Sequence, residues 1–302
     1  MRTPPQIAIP SSSAEVTAEI KRLLRAAEVL GKIPTPKDQI LACARLVETG
    51  DLDLREYDAT FSERASGFFY KAWGKVLGFL DRRTQEIYVD PLLSDSRKIF
   101  VRYHEVVHRV LPWQNAIYAE DDHATLSSSC SVLFESEANF GAADILFQCE
   151  RFESEARDYD LSIPSALYLS EKYAASYHAS LRRFVERNHR PCLLLVLKPT
   201  SREHADGSTS FYVCYSIPSP TFALNFGDPF TSPFINPEHT LGTILNDGRS
   251  GEITLEDVKG FKITCAAERF TNQYNTFVLI SPRFQPVARR KVVFREMADG
   301  VG

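Results

Sequence analysis

The chain has 302 residues, 44% hydrophobic and 25% charged, which is ordinary globular composition and enough for one large or two medium domains. Its net charge of −4 excludes a global basic field, so any nucleic-acid contact has to come from a local patch. The longest purely aliphatic run, Leu193 to Leu197, is far too short to cross a bilayer, and the six cysteines, with no C-x-x-C pair, read as reduced, mostly buried thiols rather than a disulfide frame.

Along the chain, residues 1–12 are rich in Pro and Ser and read as a flexible N-terminus; Met1-Arg-Thr-Pro-Pro-Gln6 lacks the apolar core of a signal peptide, so a cytoplasmic protein is expected. Val16, Ile20, Leu23, Leu24, Ala27 and Leu30 form a helical apolar stripe over 14–30. Pro34 and Pro36 interrupt it, and helical spacing resumes over 37–48 through Ile40, Ala44 and Leu46. Segments 76–80 and 86–91 read as short strands joined by a polar turn, Asp81-Arg-Arg-Thr84. A helix is predicted over 100–111, with Phe100, Tyr103, Val107 and Val110 facing a core and Pro112 closing it. A polar loop over 119–129 precedes a second helix over 132–148 and a further helical stretch over 164–188.

After Pro191 the character changes. Segments 192–197, 211–217, 221–225, 261–265, 276–280 and 292–294 are short β-like runs between Pro, Gly, Asn and Asp breakers. The expectation is an α+β protein: a helical domain with a small β-sheet over 13–189, then a β-rich domain over 190–302.

The chemistry concentrates at His104-Glu105-Val106-Val107-His108, an H-E-x-x-H pattern that a random chain of this length shows roughly once in a hundred. On a helix the two histidines lie about 40° apart, so both imidazoles can reach one ion. Glu105 projects from the same side and can take a proton from an attacking water and hand it to a leaving amine. A solvated surface helix is the plainer alternative, and a metal site needs a third ligand.

Two carboxylates on the second helix compete for that place. Glu135 shares a face with Asn139 and Ala142, so Asn139 can hydrogen-bond a ligand from behind. Glu137 lies about 200° round the helix and is expected to face away. Glu135 is therefore the third ligand expected. The extended pattern H-E-x-x-H-x-x-G-x-x-H fails here, because Leu111 and Gln114 occupy its Gly and His positions.

Strand Glu86-Ile-Tyr-Val-Asp-Pro91, then Ser96-Arg-Lys-Ile-Phe-Val-Arg-Tyr-His-Glu-Val-Val-His108, then Glu135-Ser-Glu-Ala-Asn-Phe-Gly-Ala-Ala143 together resemble the ImmA/IrrE metallopeptidase family. Its members read like "IYIN…R.RFTLAHELGH" followed by "E.EAN.FAA.LLMP", and the likeness spans about residues 65–188. It departs at Val107, where the family has Gly, at Phe140-Gly141, and after the second helix, where the family's Pro is missing. The resemblance implies a gluzincin-like endopeptidase with one Zn²⁺ per chain held by His104, His108 and Glu135, and with Glu105 as catalytic base. It further implies cleavage of a helix-turn-helix repressor that induces stress, DNA-damage or anti-phage defence genes. The two-domain form is similar to IrrE, whose second domain is GAF-like, and to the CapP peptidases that accompany CapH repressors. A regulator that binds its repressor or nucleic acid without cutting is the alternative, although retention of Glu105 argues for chemistry.

Other features carry less. Cys130 could supply an inhibitory fourth ligand, or simply pack near a helix end. His123, Tyr103 and Tyr118 are candidates to polarise a scissile carbonyl. The C-terminal run with Arg289, Arg290 and Lys291 suits single-stranded DNA, an expected activator, as well as it suits a solvated strand edge. No membrane partner is expected.

Overall fold

The structure, a computed structural model, describes residues 10–49, 78–120, 128–203, 207–248 and 250–283. The run containing Arg289, Arg290 and Lys291, the strand expected at 292–294, His123, His204 and the side chain of Tyr118 lie outside the described residues. The fold is mixed α+β, a helical part followed by a β-rich part. The described residues form two compact units, 10–151 with 172–176 and 152–171 with 177–283. The helices around 152–186 thus belong largely with the second unit, upstream of the boundary expected at 189.

In the first unit, helix α1 (Ser13–Ala26) buries Val16, Ile20, Leu23 and Leu24. It ends before the expected Leu30: Glu28 takes a left-handed φ of 55°, and Leu30 is half exposed. Helix α2 (Lys37–Ala44) stops at Arg45, also left-handed, and the next residues become strand β1 (Val47–Thr49) rather than more helix. β1 pairs in parallel with β3 (Glu86–Val89), which pairs antiparallel with β2 (Gly78–Asp81), giving the order β1-β3-β2. The expected turn forms between β2 and β3. The Asp81 carboxylate accepts the N–H groups of Arg83 (2.7 Å) and Thr84 (3.3 Å), which holds the register Leu80↔Ile87.

Helix α3 (Asp95–Val110) carries the H-E-x-x-H segment and starts a turn and a half earlier than the apolar stripe predicts. Tyr103 and Val107 are buried as expected, and so are Val101 and Val106, so the helix is enclosed on more than one side. Pro112 does end α3, but it also opens helix α4 (Pro112–Glu120), which falls partly in the expected loop. Helix α5 (Ser128–Leu146) then packs along α3 and brings the third acidic candidate to it.

Largely in the second unit, helix α6 (Arg151–Ala156) comes first, and the helical stretch expected over 164–188 is two helices, α7 (Ile163–Lys172) and α8 (Tyr177–Glu186). Ala174, with φ 51°, makes the break. Strands β4 (Leu193–Glu203), β5 (Thr209–Pro218), β6 (Phe234–Ile235), β7 (Gly251–Glu256), β8 (Lys262–Thr271) and β9 (Thr276–Pro282) form an antiparallel sheet of order β6-β5-β4-β9-β8-β7.

One face of this sheet, with Leu195, Val213, Ile253, Cys265 and Val278, packs on helices α9 (Pro220–Phe226) and α10 (Thr240–Asp247). The other meets α8, where His178 lies against Tyr215 and Phe277, and Tyr177 against Phe270. Burial on both faces is why the central strand reads as the unbroken apolar run Leu193 to Leu197. The β-like run at 221–225 is in fact α9: Ser219 Oγ accepts the N–H of Phe222, Pro220 occupies the first turn, and Phe222 stacks on Phe226. No helix among the described residues is long and apolar enough to cross a membrane.

Candidate metal centre

Helices α3 and α5 bring together His104, His108 and Glu135, whose ligand atoms all lie within 4.8 Å of one another. His104 Nε2 and His108 Nε2 are 3.1 Å apart, and the Glu135 carboxylate oxygens stand 3.2 Å from the first and 3.4 Å from the second. A tetrahedral ion with bonds of about 2.0–2.2 Å spaces its ligand atoms roughly 3.3–3.5 Å apart, so the trio has the dimensions of a metal's coordination face.

Hydrogen bonds behind the imidazoles decide which nitrogen is offered. His108 Nδ1 lies 2.8 Å from Gln114 Oε1, and Gln114 Nε2 donates to Glu137 Oε2 at 2.8 Å. Because the amide nitrogen faces a carboxylate, its oxygen faces the histidine, and His108 Nδ1 must be the protonated one. His104 Nδ1 lies 3.2 Å from Asn139 Oδ1, an acceptor that favours the same tautomer. Both Nε2 lone pairs therefore point at each other and at a carboxylate. Three acceptors at this spacing repel unless a cation lies among them, so the residues present fit a bound metal ion. His104, His108 and Glu135 form a group that can hold one.

Without an ion, protons on the Nε2 atoms can take the cation's place beside Glu135. Burial works against a charged His104, but hydrogen bonding to Glu135 and the negative charges of Glu105 and Glu135 outweigh it and raise its pKa. Hydrogen bonds from His104 and His108 hold the Glu135 carboxyl well below the usual carboxylate range. Glu105 is buried beside this trio, and desolvation lifts its pKa above the ordinary value against the pull of both histidines.

No family model and no curated protein matches the chain. Among solved structures it is similar to a Mycobacterium tuberculosis transcriptional regulator, at 11% identity and a TM-score of 0.47 over 88% of this chain and 75% of that one. A likeness that distant carries no functional argument. The site has to be read from its own geometry.

That geometry is built by α3 and its neighbours. Arg102 binds Glu48 on β1 through two bonds, Nε to Oε2 at 2.6 Å and Nη2 to Oε1 at 2.7 Å, and fixes the helix against the small sheet. At the other end, Arg82 Nη2 donates to the His108 carbonyl at 2.9 Å and Asn115 Nδ2 donates to that of Arg109 at 2.6 Å, satisfying carbonyls that a helix terminus leaves open. Gly78 lets β2 pass close to Glu105: a Cβ there would meet Val101 Cγ1 at 2.2 Å and Glu105 Oε1 at 3.1 Å.

Among the other candidates, Asn139 stands behind His104 as expected. Tyr103 does not serve the site, because its hydroxyl donates to the Thr35 carbonyl at 2.8 Å and burial raises its pKa. Cys130 is half-buried in the first turn of α5 and is not part of the ligand group. All six thiols are free, three of them buried.

Sequence reasoning missed Gln114 and Glu137. Gln114 was legible only as a failed match to a longer metal motif, and Glu137 as a residue facing away from the ligands. Glu137 does face away, yet it is buried and accepts from Ser12 Oγ, from Trp113 Nε1 at 2.9 Å and from Gln114. The amphipathic spacing of α5 gives no hint of this, because a buried carboxylate with three donors looks like a surface residue in the sequence.

Proposed function

We propose that this protein is a zinc endopeptidase of the ImmA/IrrE kind that cleaves a helix-turn-helix repressor. The observation that carries the reading is the convergence of His104 Nε2, His108 Nε2 and the Glu135 carboxylate beside a fourth, buried acidic group that is not among the ligands. A purely structural metal site has no use for Glu105. Two nitrogens and one carboxylate, with no thiolate in the group, are the donor set of catalytic zinc sites that keep one position open.

His104, His108 and Glu135 would hold the ion, which when bound polarises the scissile carbonyl and makes water a better nucleophile near neutral pH. Glu105 accepts the proton of the attacking water and delivers it to the leaving amide nitrogen. A carboxyl whose pKa is raised by burial is suited to both halves of that transfer, because it holds the proton long enough to return it. Asn139 and Gln114 keep the histidines oriented. The β-rich unit is read as a GAF-like sensor that gates cleavage, with single-stranded DNA as the trigger.

The test is to incubate the helix-turn-helix protein encoded nearest this gene with wild type and with Glu105→Gln, with and without single-stranded DNA, and to score products by mass spectrometry. One defined cut made only by wild type supports the peptidase, and dependence on DNA identifies the trigger. No cut under any condition, with zinc bound, favours a regulator that binds its repressor without cutting.

A further inference from the structure

We propose that Gln114 and Glu137 are positioning residues, a buried relay that fixes His108 in the one tautomer able to bind the metal. The inference rests on the metal reading of the His104–His108–Glu135 group and is independent of whether the protein cuts a repressor.

The relay is a chain of obligatory polarities. Glu137 accepts from Trp113 Nε1 at 2.9 Å, from Ser12 Oγ and from Gln114 Nε2 at 2.8 Å. The same amide nitrogen lies 3.4 Å from the Phe134 carbonyl, a second acceptor. With both neighbours of Nε2 accepting, the Gln114 amide cannot turn over, and its Oε1 stays 2.8 Å from His108 Nδ1. An amide oxygen only accepts, so the proton is held on Nδ1 and the lone pair on Nε2, toward His104 and Glu135.

Burial makes the arrangement stiff. Gln114 is fully buried and Glu137 is 1% exposed, so water cannot substitute for either partner. Histidine ligands are commonly backed by a carboxylate or a carbonyl directly; here a glutamine is interposed and the carboxylate stands one residue further out. The two residues sit on different helices, Gln114 in α4 and Glu137 in α5, two positions beyond the ligand Glu135. The relay thus ties the His108 side of the site to the helix that supplies the carboxylate ligand.

Two substitutions at Glu137 separate polarity from bulk. Glu137→Gln keeps an acceptor oxygen for both Trp113 Nε1 and Gln114 Nε2, which share Glu137 Oε2, and turns its amide nitrogen to the Ser12 hydroxyl, which can accept; Glu137→Leu removes the acceptor and frees the Gln114 amide to turn over. Zinc affinity of the apoprotein is measured by competition with a chromophoric chelator, alongside its thermal unfolding. Gln114→Leu and Glu137→Leu are each expected to weaken zinc binding by about 10–100-fold, and Glu137→Gln to stay within a few-fold of wild type.

Wild-type affinity in Gln114→Leu, or a Glu137→Gln variant no better than Glu137→Leu, overturns the relay. Should the variants fail to fold, nitrogen-15 NMR of the zinc-loaded wild type still decides. A proton on His108 Nδ1 is the expected result, and a proton on Nε2 overturns the proposal. Absence of stoichiometric zinc binding by wild type is a separate outcome, which overturns the metal reading and this inference with it.

Discussion

Val107 and Gly141 fit into one another where the two ligand-bearing helices pack: a Cβ on Gly141 would lie 2.8 Å from both Val107 methyls and 3.2 Å from a methyl of Val16. The bulk at this crossing stands on α3 and the room for it on α5. Gly141→Ala is therefore expected to overpack this crossing and destabilise the apoprotein by about 1–3 kcal/mol. Val107→Ala in the same chain should relieve much of that loss. Chemical denaturation of the two single variants and the double variant gives the coupling; additive losses would mean the methyls do not meet.

Glu105→Gln separates holding a metal from using it. Glu105 is not in the ligand group, so zinc affinity should stay near wild type, while turnover of a cleaved repressor falls by about 10²–10⁴-fold, the usual worth of a positioned proton carrier. Equilibrium dialysis and single-turnover cleavage measure the two quantities. Loss of zinc in step with activity would make Glu105 a ligand instead of a base.

What the sequence made legible follows from local physics. His104 and His108 were readable because helical periodicity puts residues four apart on one face, and Glu135 because it shares a helical face with Asn139 and Ala142. Asn139 followed by the same rule. Element ends were less legible: Arg45, Glu28 and Ala174 stop helices in left-handed conformations, with no glycine at any of the three positions to announce it. The α9 segment read as a strand because its aromatics suit a sheet, whereas Ser219 and Pro220 initiate a helix. Gln114 and Glu137 were beyond reach, since their roles depend on a tertiary contact between α4 and α5.

Cys130 gives a negative prediction. It lies outside the ligand group although it is five residues before Glu135, because one and a half turns of helix carry it away from the face that Glu135 presents. Cys130→Ala should leave zinc affinity and basal cleavage unchanged. A rise in basal cleavage would show the thiol reaching the ion in a conformation other than this one.

The Arg102–Glu48 pair predicts how acid weakens the frame of the site. Hydrogen bonding to Arg102 lowers the Glu48 pKa from its ordinary 4.5, against a smaller opposing effect of burial. A carboxylate with a depressed folded-state pKa stabilises the fold fully above its unfolded value, and that stabilisation is lost as pH falls through the folded value. The loss therefore belongs below about pH 4.5, and near neutrality the contribution is constant. Glu48→Gln should lower stability at pH 7 and flatten the acid limb of the unfolding midpoint against pH. Arg102→Lys should do so partially, because a lysine cannot make both bonds to the carboxylate. Parallel pH profiles for wild type and Glu48→Gln would show that the pair does not anchor α3 to β1, and that the metal helix is held by its apolar contacts alone.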